Sequence, residues 1–140
     1  MASVFTQIIE GVLPARFVWR DERCVAFLTI APLRPGHTLV VPRAEIDHWL
    51  DLPPELLAHL MSVAQAIGRA LQHAFRPVKV GMVIAGLEVP HVHLHLIPID
   101  DLRDLDFSRA NKNPDPAALD AAAARIRTAL RALGYPQVAD

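Results

Sequence analysis

Three histidines stand at every second position in PHVHLHLIP, residues 90–98, of a chain that has seven in all. Side chains alternate faces along a strand. The spacing therefore predicts His91, His93 and His95 on one face, with Val92, Leu94 and Leu96 on the other. Three chemistries are open to such a row. It can be a polar face meeting solvent. It can hold a metal, since zinc sites often use three nitrogen ligands, with His37, His48, His59 and His73 as the other histidines that could complete a set. Or it can be a nucleophile with acid–base partners. Neutral imidazole, with an unperturbed pKa of about 6.5, attacks phosphorus well. It needs its second nitrogen held by an acceptor, so that the attacking one carries the lone pair. A neighbouring imidazole can pass a proton to the leaving group. The turn AGLEVP, residues 85–90, runs directly into the row. Backbone N–H groups around Gly86, Leu87 and Glu88 could cradle a phosphate oxygen there, which favours the third chemistry.

Several elements must position this row. Ser3 is placed to cap a short helix running to Glu10, stopped by Gly11. Residues 15–20, 24–30, 37–41, 78–85 and 91–99 read as strands. Between the third and fourth, Leu56, Leu57, Leu60, Val63, Ala64, Ile67 and Leu71 recur at helical spacing, which predicts a long helix over 55–75. Pro53-Pro54 suits its first turn. A second amphipathic stretch, 115–133, ends at Gly134. Two strands joined by a tight turn, and no strict alternation of strand and helix, point to an α+β class with an antiparallel sheet and helices on one side. His37 reads as a strand-start residue, Cys24 as a small buried one, and Trp19 and Trp49 as packing anchors. Arg34 reads as a loop charge, and the charges of residues 100–106 as a solvated loop or a lid over the site.

Composition narrows the function classes. The 140 residues suggest one domain; they are 52% hydrophobic and 21% charged, enough to bury a core. The net charge of −1 and the lack of a basic block give no footprint for nucleic acid or an anionic membrane. Apolar runs are too short for a membrane span, and MASVFTQIIEG lacks the basic region and apolar core of a signal peptide. One cysteine excludes an internal disulfide and a multi-cysteine zinc site. A cytoplasmic protein is expected.

HVHLHLI, residues 91–97, resembles the alternating-histidine signature of the histidine triad (HIT) family. Residues 5–46, with PGHTLVVP at 35–42, resemble that family's N-terminal half, and AGLEVPHVHLHLIP, residues 85–98, its run into the triad. The likeness covers about residues 4–99 of a single 1–140 domain, leaving 100–140 as a loop and helix extension. It implies a five-stranded antiparallel sheet with one long central helix, a short N-terminal helix and a C-terminal helix, paired as a homodimer. It implies a nucleotide hydrolase or transferase acting at the α-phosphate of a purine nucleotide conjugate: a phosphoramidate, dinucleoside polyphosphate or nucleotidyl adduct. His93 would be the nucleophile, His95 would contact the phosphate and help the leaving group, and His91 would orient His93. No cofactor is implied for the chemistry. Phe5, Ile8, Phe27 and Leu28 would line the base pocket and Thr29 would meet the ribose.

The chain also departs from the family pattern. Ser3 and Thr6 stand where many relatives carry the cysteines of a structural zinc, and Glu45 where a partner histidine lies, so no metal is expected and Glu45 is expected to pair with His91 instead. Thr29 replaces the aspartate that holds the ribose hydroxyls, and Leu87 a glutamine. These changes leave open a nucleotide-binding or regulatory module with little turnover.

Overall fold

The computed structural model describes residues 2–140. Five strands, β1 (Phe17–Arg20), β2 (Cys24–Leu28), β3 (Thr38–Pro42), β4 (Lys79–Val83) and β5 (Leu94–Ile99), form one sheet in the order β1-β2-β3-β5-β4. Every neighbouring pair is antiparallel. The helices are α1 (Val4–Ile9), α2 (Pro54–Phe75) and α3 (Pro116–Ala132). The α+β architecture is the expected one, with a single difference in layering. Only α2 and α3 share a face. Their apolar stripes, including Leu60, Ile67, Leu71, Ile126 and Leu130, pack on Val40, Leu94 and Leu96. The short α1 lies on the opposite face, where Phe5 packs with Val25, Phe27, Leu39 and Val41.

Local chemistry explains these elements. Ser3 caps α1, its Oγ accepting from the Thr6 N–H at 3.0 Å. Pro54 opens α2, where its missing N–H costs nothing. Asp115 caps α3 by accepting from the Ala117 N–H. The buried alanines 122, 123 and 129 give α3 a low surface against which α2 packs.

The fifth strand starts later than the histidine spacing predicts, at Leu94 instead of His91. The ladder with β3 stops at the Val40–Leu94 pair. Pro42 has no N–H to offer, and its carbonyl accepts from the His91 ring at 2.8 Å. The Val92 N–H turns instead to the Ile46 carbonyl at 2.7 Å. Face alternation nevertheless persists, since Val92 joins the helical core while His91 and His93 pack against Phe5.

The loop before β3 turns at Gly36, whose φ of +92° belongs to the left-handed region. A Cβ there would come within 2.8 Å of the Phe75 ring at the end of α2. Gly11 has a similar φ, +82°, with nothing within 4 Å of a Cβ. Gly11→Ala is expected to cost about 1–2 kcal/mol, the backbone penalty alone. Gly36→Ala is expected to cost at least about 1 kcal/mol more, because a packed ring must move. Urea unfolding of the two variants checks the difference.

Candidate active site

The three spaced histidines come together on the α1 face of the sheet and are joined by a fourth, His37, from the residue before β3. Ring centroids lie 4.8 Å apart for His93 and His95, and 5.2 Å for His37 and His95. His37, His91 and His93 are buried, and His95 is partly so.

Backbone groups decide where the ring protons sit. The Pro42 carbonyl accepts from His91 Nε2, so His91 Nδ1 is left to accept from the Ser3 hydroxyl at 2.7 Å. The His91 carbonyl accepts from His93 Nδ1 at 2.7 Å, which places the His93 lone pair on Nε2. The Leu33 N–H donates to His37 Nδ1 at 3.0 Å. His37 therefore carries its proton on Nε2 and donates it to His95 Nδ1 at 2.9 Å. His95 is then protonated on Nε2. A neutral imidazole has one donor and one acceptor nitrogen, and each ring here has one of its two roles fixed by the chain.

Burial supports the neutral forms. It lowers the pKa of all four rings below the usual histidine value, to about 3 for His37 and about 4 for His95. The neighbouring imidazoles lower His37 and His95 further, while the carbonyls facing His91 and His93 partly offset the effect there. All four are thus neutral at pH 7.

The residues expected around the substrate divide into three groups. Phe5, Ile8, Phe27 and Thr29 line one cavity of about 450 Å³, with His93 and His95 in its wall. Leu28 also borders it, but belongs to the core under α2 and α3. Thr29 Oγ1 accepts from the Ala31 N–H at 3.1 Å, leaving its O–H as a donor. Gly86 and Leu87 lie on the other side of His93, in a smaller cavity of about 210 Å³ shared with Trp49. Leu87 is 95% exposed, and Glu88 is exposed as well. Neither side chain enters the apolar cavity.

Glu45 does not pair with His91. Its Oε1 accepts from the Ser3 N–H and the Thr6 hydroxyl, each at 2.6 Å, and Ser3 is the link to His91. The Thr6 hydroxyl, then the Ser3 N–H, hold the Glu45 carboxyl below its usual pKa. Neutral hydroxyls that already serve this network do not fit the structural zinc that the resemblance places at these positions. Asp21, Cys24 and His59 also bring ligand atoms within 4.8 Å of one another. Asp21, however, already accepts from Trp19 Nε1, His59 Nε2 and the N–H groups of Arg23 and Cys24. Burial, then the nearby Asp21, keeps the Cys24 thiol protonated.

Residues 100–109 are largely exposed, as expected of a solvated segment, but form a strap pinned by ion pairs and capped turns. Arg34 Nη1 donates to Asp104 at 2.5 Å and Nη2 to Asp100 at 3.0 Å. Asp101 and Asp104 form a capping box around one 3-10 turn, and Asp106 caps a second.

The profile of the HIT domain family matches residues 10–102. An uncharacterized HIT-like protein of Methanocaldococcus jannaschii is 35% identical over 99 residues, 68% of this chain and 77% of that one. The structure of a Zn-bound histidine triad family protein from Mycobacterium smegmatis superposes with a TM-score of 0.82 at 31% identity, covering 95% and 96% of the two chains. A HIT family hydrolase from Legionella pneumophila matches with a TM-score of 0.59 at 31% identity, over 69% and 91%. The fold, the histidine cluster and these likenesses define a histidine triad protein: the chain belongs to the HIT family.

Keeping His37 neutral has a stability consequence. Between pH 6.5 and about 3 the unfolded chain binds a proton that folded His37 does not. Its contribution is complete above pH 6.5 and is lost as pH falls. At pH 4.5 the loss from His37 alone amounts to about 2–3 kcal/mol. Urea unfolding at pH 7.5 and 4.5 is expected to show a smaller pH-dependent drop for His37→Asn than for the wild type.

Proposed function

We propose that the protein is a nucleotide hydrolase of the HIT type, cleaving a purine nucleotide conjugate at its α-phosphate. The observation that carries this reading is the state of His93. Its Nδ1–H is held by the His91 carbonyl, and its Nε2 lone pair has no protein partner among the described residues. It lies in the wall of an apolar cavity whose aromatic lining, Phe5 and Phe27, suits a flat base. The kinship with a HIT family hydrolase supports the class of reaction.

In this reading His93 Nε2 attacks phosphorus, and the bond to the leaving nitrogen or oxygen breaks with its electron pair staying on that atom. One proton is taken up in this half-reaction and reaches the leaving atom through His95 Nε2. Water then attacks phosphorus, the His93 Nε2–P bond breaks, and one proton is released with the nucleoside monophosphate. His91 supplies the carbonyl that orients His93, and His37 sets the proton position of His95. Gly86 and its neighbours offer N–H groups to the phosphate. No metal enters either step.

The chain acts as one domain in this reading, residues 100–140 included, since α3 packs on α2 and β1. It also acts as a homodimer. β4 is an edge strand whose outer side is unpaired in the chain. Met82 on it is 39% exposed, beside Met61 of α2 at 43%, and an uncovered apolar edge favours pairing with a second copy.

Thr29 favours a second reading, a nucleotide-binding module with little turnover. It offers the ribose one neutral donor in place of a carboxylate.

Three outcomes are expected. Adenosine 5′-phosphoramidate is hydrolysed, protein quenched in alkaline denaturant shows the added mass of a nucleotidyl group on His93, and His93→Asn lowers kcat/KM by at least about 1,000-fold. Binding by calorimetry without turnover would favour the second reading. The acid limb of kcat/KM falls below pH 6.5, because burial lowers the pKa of His93 from that value. Light scattering gives twice the 15.4 kDa chain mass, and Met82→Glu returns the monomer.

A further inference from the structure

The strap after β5 crosses the imidazole cluster on the side away from α1. It is tied at both ends to the loop that carries His37. Arg34 pairs with Asp100 and Asp104 at one end. The Asn111 N–H donates to the Pro32 carbonyl at 3.0 Å at the other. Leu105, between them, lies over Gly81 and Ile99, where a Cβ added to Gly81 would come within 3.3 Å of it. These ties hold Phe107 edge-to-face against His95, with ring centroids 4.9 Å apart, and 6.3 Å from His37. Phe5 meets His93 in the same way at 4.8 Å on the other side. The cluster is therefore bracketed by two aromatic rings, and only Phe5 belongs to the apolar cavity. Phe107 remains 43% exposed. A ring so firmly positioned and still open to solvent is not filling the core, and most of the strap that carries it lies beyond the matched family segment, which ends at residue 102.

The geometry points to Phe107 as a specificity-determining residue that forms the wall for the leaving group. This rests on the proposed hydrolysis. His95 Nε2–H serves the atom that departs, so the apolar surface touching His95 is the one nearest to whatever that atom carries. Phe107 selects conjugates whose leaving amine bears an aromatic ring on a short tether. Such a ring gains an edge-to-face or offset contact and loses water on both partners. An unsubstituted amide reaches no further than His95 and does not feel the wall. Phe107 takes no part in bond making, and Arg34 acts through the strap.

The test compares two adenosine phosphoramidates that differ only in the leaving amine: ammonia, and a phenylethylamine. In the wild type kcat/KM is expected to favour the aryl substrate. Phe107→Ala should lower that preference by about 5–10-fold, the size of one aromatic contact. The unsubstituted amide should fall by clearly less than the aryl substrate does, with circular dichroism showing the variant folded. Phe107→Trp should keep the preference. An unchanged ratio in Phe107→Ala overturns the inference, and so does an equal fall with both substrates, which would make Phe107 a support for His95. Turnover of the unsubstituted amide with no aryl preference in the wild type overturns it as well, while leaving the hydrolase reading intact. Failure to turn over either substrate removes both.

Discussion

The site depends on main-chain groups that fix the protons of buried imidazoles. A neutral ring in solvent exchanges between two tautomers, and only one of them leaves the lone pair of His93 on Nε2. Here the His91 carbonyl takes the Nδ1 proton of His93. The Leu33 N–H, acting through His37, assigns the Nε2 proton of His95. The two rings that face the cavity thus offer complementary groups, a base nitrogen and an N–H, without any charge being buried. Burial strengthens this arrangement, since it disfavours the charged form of all four rings.

The rest of the fold keeps those main-chain groups in place. The β3–β5 ladder sets Leu39 opposite His95, and His37 precedes β3 by one residue, so the pairing carries His37 to His95. The ladder ends where Pro42 lends its carbonyl to His91 instead of to a strand. On the far side, α1 is bound to the same histidine through Ser3, while Glu45 ties down the first turn of that helix. One hydroxyl thereby caps a helix and fixes a ring in the site. The core under α2 and α3 gives the strands a firm base, and the histidine cluster lies on the face that carries α1.

Much of this was legible in the sequence, because periodicity and spacing are local signals. The alternation in HVHLHLI announced a histidine face, and the apolar spacing of 55–75 announced α2 nearly to the residue. The aromatic residues assigned to a base pocket, Phe5 and Phe27, do line one cavity. Long-range partners were not legible. His37 looked like an ordinary strand-start residue because its partner lies 58 positions away. Its place in PGHTLVVP, one residue before a strand that pairs with the triad strand, was the signal that could have found it. Glu45 was assigned to His91 from motif position, whereas two donors on α1 hold it more closely. The start of β5 at Leu94 followed from Pro42, whose lack of an N–H acts across the sheet. The acidic run at 100–106 is largely exposed, as read, but its pairing with Arg34 was not legible, because the two meet only where the chain turns back after β5.

The most direct test of this account is the proton position on each imidazole, read by long-range ¹⁵N–¹H correlation NMR of the free protein at pH 7. The account predicts four neutral rings, with His93 protonated on Nδ1 and His37, His91 and His95 on Nε2. A His93 ring protonated on Nε2, or a His95 ring protonated on Nδ1, would contradict it.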